Sequence, residues 1–124
     1  MAIFGSKKVL IVEDEAELRE AMELVLKQAG YEAESISIGS QFGSRVITYK
    51  PDLIILDISL PGLNGVDALQ LLRTEMGLQI PVFIFTNMKL DPERAGLITQ
   101  LGATYMDKAG TSLAELIEKV KEVV

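Results

Sequence analysis

No cysteine and no histidine occur in the chain. The first absence excludes a disulfide framework, thiolate metal ligands and a thiol nucleophile. The second excludes histidine-based catalytic triads, haem ligation and the usual zinc sites. Acid–base or metal chemistry must therefore rest on carboxylates, lysine, hydroxyls or the backbone. Basic residues are also in deficit: 12 Lys and Arg stand against 18 Asp and Glu, a net charge of −6. A nucleic-acid surface needs clustered cations, so direct nucleic-acid binding is not expected of this chain, although a partner domain could carry it. No apolar run approaches the roughly 18 residues of a membrane span. The apolar stretch within residues 1–8 is too short for a signal peptide. The expected compartment is the cytoplasm, without membrane contact.

Short, nearly continuous apolar runs are present instead: Val9–Val12, Leu53–Leu56 and Val82–Phe85. Runs of this kind predict strands buried on both faces, as in a parallel sheet. Weaker strands are expected at Glu32–Ile36 and Ala103–Asp107. Helical periodicity lies between them. Leu18, Met22, Val25 and Ala29 mark a first helix, with Asp14 as N-cap, Glu17 three residues on, and Gly30 as a stop. A second helix is expected over Gln41–Tyr49, ended by Pro51, and a third over Val66–Met76, stopped by Gly77. The fourth starts at Asp91-Pro92, an N-cap followed by proline at the first helical position, and ends near Gly102. The fifth runs from Ser112 to Val123, with Leu113, Leu116, Ile117 and Val120 on one face. Five βα units predict an α/β fold with a doubly wound parallel sheet of five strands. With right-handed crossovers, the leading topology is the flavodoxin-like order 2-1-3-4-5. Residues 1–124 are expected to form one domain, which is either a whole protein or part of a longer one.

Open α/β sheets bind ligands at the carboxyl ends of their strands. Strand 1 ends in Glu13-Asp14, strand 3 in Asp57, strand 4 in Thr86 and strand 5 in Lys108. Taken singly, each has an ordinary structural explanation: a helix cap, a turn residue, a strand end, a solvated charge. Taken together, three carboxylates, a hydroxyl and an ammonium fall at one edge of one sheet. Clustered carboxylates repel unless a cation neutralises them. With only oxygen ligands the cation should be hard: Mg²⁺, Mn²⁺ or Ca²⁺. An aspartate beside such an ion can act as a nucleophile toward phosphorus, with the ion and the lysine spreading the charge of the phosphoryl group.

Four stretches carry a family resemblance: Val9-Leu10-Ile11-Val12-Glu13-Asp14-Glu15, Pro51-Asp52-Leu53-Ile54-Ile55-Leu56-Asp57, Leu60-Pro61-Gly62-Leu63-Asn64-Gly65 and Gly102-Ala103-Thr104-Tyr105-Met106-Asp107-Lys108. In this order and spacing the chain resembles the receiver domains of response regulators, over essentially its whole length. The resemblance implies a phosphorylation-dependent switch of a two-component phosphorelay. Asp57 would accept a phosphoryl group from a histidine kinase or a histidine phosphotransfer protein. Glu13, Asp14, Asp57 and the backbone carbonyl of Ser59 would bind Mg²⁺, with Mn²⁺ as a substitute. Lys108 would pair with the phosphoryl oxygens. Thr86 and Tyr105 would form the switch that alters the surface of helix 4, strand 5 and helix 5 for a downstream effector domain or protein. Ser59 and Met88 would border the site. Beyond self-phosphorylation and autodephosphorylation, no enzyme activity is implied.

Two positions depart from the family's commoner pattern. Ala109 replaces the proline that usually follows the lysine; a cis bond before alanine costs about 2.5–4 kcal/mol, so trans is expected. Asn87 replaces a small residue after Thr86. The competing function is a receiver-like binding module that is never phosphorylated; the joint presence of Asp57, Lys108, Thr86 and the acidic pair argues against it. An aspartyl-phosphate phosphohydrolase typically has a second aspartate two residues after the nucleophile, where this chain has Ser59.

Overall fold

The computed structural model describes residues 6–37, 39–60 and 63–124. Pro61 and Gly62 of the turn motif, and the segment 1–5, lie outside the described residues. Five strands, β1 (Lys8–Val12), β2 (Glu32–Ile36), β3 (Leu53–Leu56), β4 (Val82–Thr86) and β5 (Ala103–Asp107), pair in parallel in the order β2-β1-β3-β4-β5. This is the order expected from the sequence. The helices are α1 (Ala16–Gln28), α2 (Phe42–Tyr49), α3 (Gly65–Gln70), α4 (Pro92–Gln100) and α5 (Leu113–Val123). None is long and apolar enough to cross a membrane.

The apolar runs are continuous because both sheet faces are covered. Val9 and Ile11 pack with Met22 and Leu26 of α1 and with Leu116, Ile117 and Val120 of α5. Their alternates Leu10 and Val12 pack with Phe42 and Val46 of α2, Leu69 of α3 and Ile98 of α4. Val9, Leu10, Ile11, Leu53 and Ile54 have no exposed surface. Full burial of such a side chain contributes about 1.5–3 kcal/mol, so this core holds the strand ends rigidly in register.

The ends of the helices show where local chemistry decided and where it did not. Asp91 caps α4 by accepting the Arg94 N–H at 2.8 Å, with Pro92 in the first turn. Ser112 and Glu115 form a reciprocal capping box on α5. Gly30 ends α1 at φ 96°, and the Gly30 and Tyr31 N–H groups close onto the Lys27 and Leu26 carbonyls. The start of α1 differs from expectation. Glu15, not Asp14, occupies the N-cap position, without a side-chain bond. The physical reason is Glu13: its buried carboxylate takes the Glu15 N–H at 3.1 Å, which leaves Asp14 exposed and free of a capping role. The third helix also differs. After Gln70 it widens into a π-helical turn over Leu71–Glu75, closed by Met76 N–H to the Leu71 carbonyl at 2.9 Å. Within that turn Arg73 donates to the Leu101 carbonyl at 2.7 Å and to the Leu78 carbonyl at 3.0 Å. The second helix stops before Pro51, as expected, but through Lys50 in a left-handed conformation, φ 56°.

Candidate functional site

Parallel strands end on one side, so β1, β3, β4 and β5 deliver their following residues to one edge. Ladder-like bonds carry the geometry past the strand ends: Glu13 N–H reaches the Ile36 carbonyl, Asp57 N–H the Val12 carbonyl and Lys108 N–H the Thr86 carbonyl, each at 3.0 Å. Glu13, Asp57 and Thr86 are the buried polar side chains among the described residues. Lys108 stands between the first two, its ammonium 2.7 Å from Glu13 Oε1 and 2.7 Å from Asp57 Oδ2. Asp57 Oδ1 accepts the Ser59 N–H at 3.0 Å and the Ser59 hydroxyl at 3.3 Å. The exposed Asp14 completes an all-oxygen group: one carboxylate oxygen from each of Glu13, Asp14 and Asp57 lies within 4.8 Å of the others. This donor set fits a hard divalent cation. Burial alone would push Asp57 up, but the Lys108 ammonium, the Ser59 N–H and the Thr86 hydroxyl overcome it and hold the carboxyl below its usual value. At Glu13 burial prevails over Lys108 and the Glu15 N–H, and the carboxyl is pushed up. Burial would lower Lys108, but the two carboxylates raise it.

The remaining two positions meet at Met88. The Thr86 hydroxyl accepts the Met88 N–H at 3.1 Å. The Tyr105 hydroxyl donates to the Met88 carbonyl at 3.4 Å, with the residue 40% exposed. Tyr105 therefore rests at the surface, not behind Thr86. Asn87 is exposed, and no cis peptide occurs among the described residues, so the Lys108–Ala109 bond is trans.

Three contributors escaped the sequence reading. Arg19 donates to the Glu13 carbonyl at 3.0 Å and the Asp14 carbonyl at 3.4 Å, holding the acidic turn from the first turns of α1. An arginine five residues after an acidic pair is too common a pattern to have signalled this. A two-residue antiparallel hairpin pairs Ser59 with Asn64 directly after Asp57. Gly65 begins α3 so close to this hairpin that an added Cβ would lie 2.5 Å from Ile58 Cα. Its place after Asn64 could have marked a tight turn, but not this contact.

Comparison with known proteins supplies a context. A family model described as the response regulator receiver domain matches residues 9–121. The chain is 36% identical over 80 residues to the DNA-binding response regulator MtrA of Mycolicibacterium paratuberculosis, covering 64% of this chain and 35% of that protein. It is 36% identical over 120 residues to the phosphate regulon transcriptional regulatory protein PhoB of Pseudomonas aeruginosa, covering 95% of this chain and 52% of that protein. A solved structure of a LuxR-family DNA-binding response regulator from Staphylococcus aureus superposes with a TM-score of 0.83 at 30% identity, covering 94% of this chain and 98% of the other. The chain thus spans between a third and about half of the length of these curated relatives.

Proposed function

Since the chain belongs to the response regulator receiver domain family, phosphorylation-dependent switches of two-component systems, we propose that Asp57 is its phosphoacceptor. One observation carries this reading. Of the two buried carboxylates that meet Lys108, Asp57 is the one locked at its other oxygen by both the N–H and the hydroxyl of Ser59 and held below its usual value, whereas burial pushes the Glu13 carboxyl up. The third carboxylate, Asp14, is exposed. The donor is a histidine kinase or a histidine phosphotransfer protein in the cytoplasm. An Asp57 oxygen attacks phosphorus, the new O–P bond forms as the donor's P–N bond breaks, and the electron pair leaves with the imidazole. Lys108, already at the attacking carboxylate, transfers its hydrogen bond to the incoming phosphoryl oxygens. Glu13, Asp14, Asp57 and the Ser59 carbonyl would hold Mg²⁺, which when bound neutralises charge on the phosphoryl oxygens. Self-phosphorylation from small donors and autodephosphorylation use the same groups.

The test is intact-mass analysis after incubation with acetyl phosphate or phosphoramidate and Mg²⁺. Wild type should gain one phosphoryl adduct and Asp57→Asn none. An adduct that persists in Asp57→Asn would move the acceptor elsewhere. No adduct in either protein would favour a binding module that works without phosphorylation.

Output follows from Met88, whose N–H and carbonyl are held by Thr86 and Tyr105 respectively. A dianionic group on Asp57 draws the Thr86 hydroxyl toward it, and Met88 loses its N–H acceptor. The loop after β4 then moves, and the Tyr105–Met88 bond breaks with it. A ligand shifts such an equilibrium only by its differential affinity for the two states, and here the Thr86 contact supplies the difference. Thr86→Ala should therefore still accept phosphate while losing most of the change in amide exchange over residues 87–91 and α4. Beryllofluoride, whose BeF₃⁻ on the Asp57 carboxylate stands in for the phosphoryl group, allows the comparison at equal occupancy. Identical exchange changes in Thr86→Ala and wild type would remove Thr86 from the pathway. The surface so altered, α4–β5–α5, is the one offered to an effector domain or protein.

A further inference from the structure

A cleft of about 480 Å³ opens at the opposite edge of the sheet, where β3 and β4 begin. Its walls are Val46, Ile47, Pro51, Met76, Leu78 and Ile80, and its lining is the most apolar of the described clefts. Ile47, 63% exposed, extends this apolar lining out to the surface. One charged residue, Lys50, stands on the lip, and it forms no ion pair among the described residues.

The backbone at Lys50 is a second, independent sign. Helices α1 and α4, and the turn that extends α3, are each followed by a glycine with positive φ: Gly30, Gly102 and Gly77. The fourth left-handed position, at the end of α2, carries Lys50 at φ 56°. A side chain there is disfavoured where glycine is not. A lysine elsewhere in the last turn would serve the helix dipole equally well. The ammonium is thus kept at a strained position on the rim of an apolar cleft. The volume suits a small molecule, within the roughly 300–1,000 Å³ of ligand pockets. The seven lining residues fall well short of the roughly 20–30 per side of a stable protein interface.

We propose that this cleft binds a small carboxylate with a straight aliphatic tail. The tail lies among Ile47, Met76 and Ile80, and the carboxylate meets the Lys50 ammonium. Butanoate, hexanoate, octanoate and decanoate, titrated into isotopically labelled protein, provide the test by methyl resonances. Saturable shifts are expected at Ile47, Met76 and Ile80. Affinity should rise about fourfold per methylene until the cleft is full. Decanol should bind about three- to fivefold more weakly than decanoate. Lys50→Gly should weaken decanoate by the same factor while raising the thermal midpoint by about 3 °C, because strain is relieved. Undiminished phosphoryl uptake on Asp57 reports that Lys50→Gly and Ile47→Glu are folded. Ile47→Glu should abolish saturable binding. Shifts that never saturate or spread over the surface would overturn the proposal, as would equal binding of decanol. A dimer lost in Ile47→Glu would make a second copy the occupant instead. Tighter decanoate binding after deletion of residues 1–5 would assign the cleft to that segment.

Discussion

Lys108→Ala is expected to lower stability by about 3 kcal/mol near neutral pH, since removing one partner of a buried ion pair leaves an uncompensated buried charge. Here it leaves two, Glu13 and Asp57, both almost fully buried and both 2.7 Å from the same ammonium. In thermal unfolding the loss corresponds to about 10 °C for a domain of this size. The pH dependence follows from linkage. In wild type the two carboxylates act oppositely. Asp57 is held below its usual value, so it stabilises above the unfolded pKa of 3.8, and that contribution is lost as pH falls through the folded value. Glu13 is raised, so its contribution is present below 4.5 and lost as pH rises through the folded value. Without Lys108, burial is left unopposed by the ammonium at both residues, and both carboxyls should rise. The deficit of Lys108→Ala should therefore be full near pH 7 and shrink as the solution is acidified through the raised values. Mg²⁺ should restore part of it at neutral pH, through preferential binding to the folded cluster. Urea denaturation at several pH values, with and without Mg²⁺, measures all three effects. A pH-independent loss below about 1 kcal/mol would show that Lys108 does not neutralise this pair.

Gly65→Ala should be the most damaging conservative substitution near the site, with an expected cost of about 2–3 kcal/mol. The reason is contact, not backbone conformation. The methyl would lie 2.5 Å from Ile58 Cα, a backbone atom that no rotamer change can move aside. Either α3 or the Ile58–Ser59 segment must shift. Ser59 supplies both hydrogen bonds to Asp57 Oδ1, so a shift there also misplaces the acceptor. The expected result is a lower denaturation midpoint together with slower adduct formation from phosphoramidate. Gly43→Ala is the control, because its added Cβ would meet only the Leu71 side chain, at an ordinary 3.8 Å. Equal stability and equal adduct rates in Gly65→Ala and wild type would mean that this approach does not position Asp57.

The fold, and the gathering of the candidate residues at one sheet edge, followed from the sequence by itself, for local reasons. Val9–Val12, Leu53–Leu56 and Val82–Phe85 are apolar on successive residues, which only a doubly covered strand tolerates. Five such units with helices between them leave little topological choice. Parallel strands share one carboxyl edge, so Glu13, Asp14, Asp57, Thr86 and Lys108 were bound to gather wherever their strands did. Asp91 could be assigned as a cap because a cap bonds within three residues of itself.

Tertiary structure alone decided how those groups face one another. Glu13 turns inward and Asp14 outward, although both are acidic and adjacent. The choice depends on Lys108, which lies 51 residues beyond Asp57 and reaches both carboxylates at once. The π-helical turn after α3 accompanies the bonds of Arg73 to carbonyls at Leu78 and Leu101, of which the second lies outside any local window. The requirement for glycine at position 65 comes from Ile58 across a hairpin. The outward resting place of Tyr105 depends on the Met88 carbonyl. Each of these is set by distances of a few ångströms between segments that only packing brings together, and hydrophobic periodicity and capping preferences carry no information about such distances.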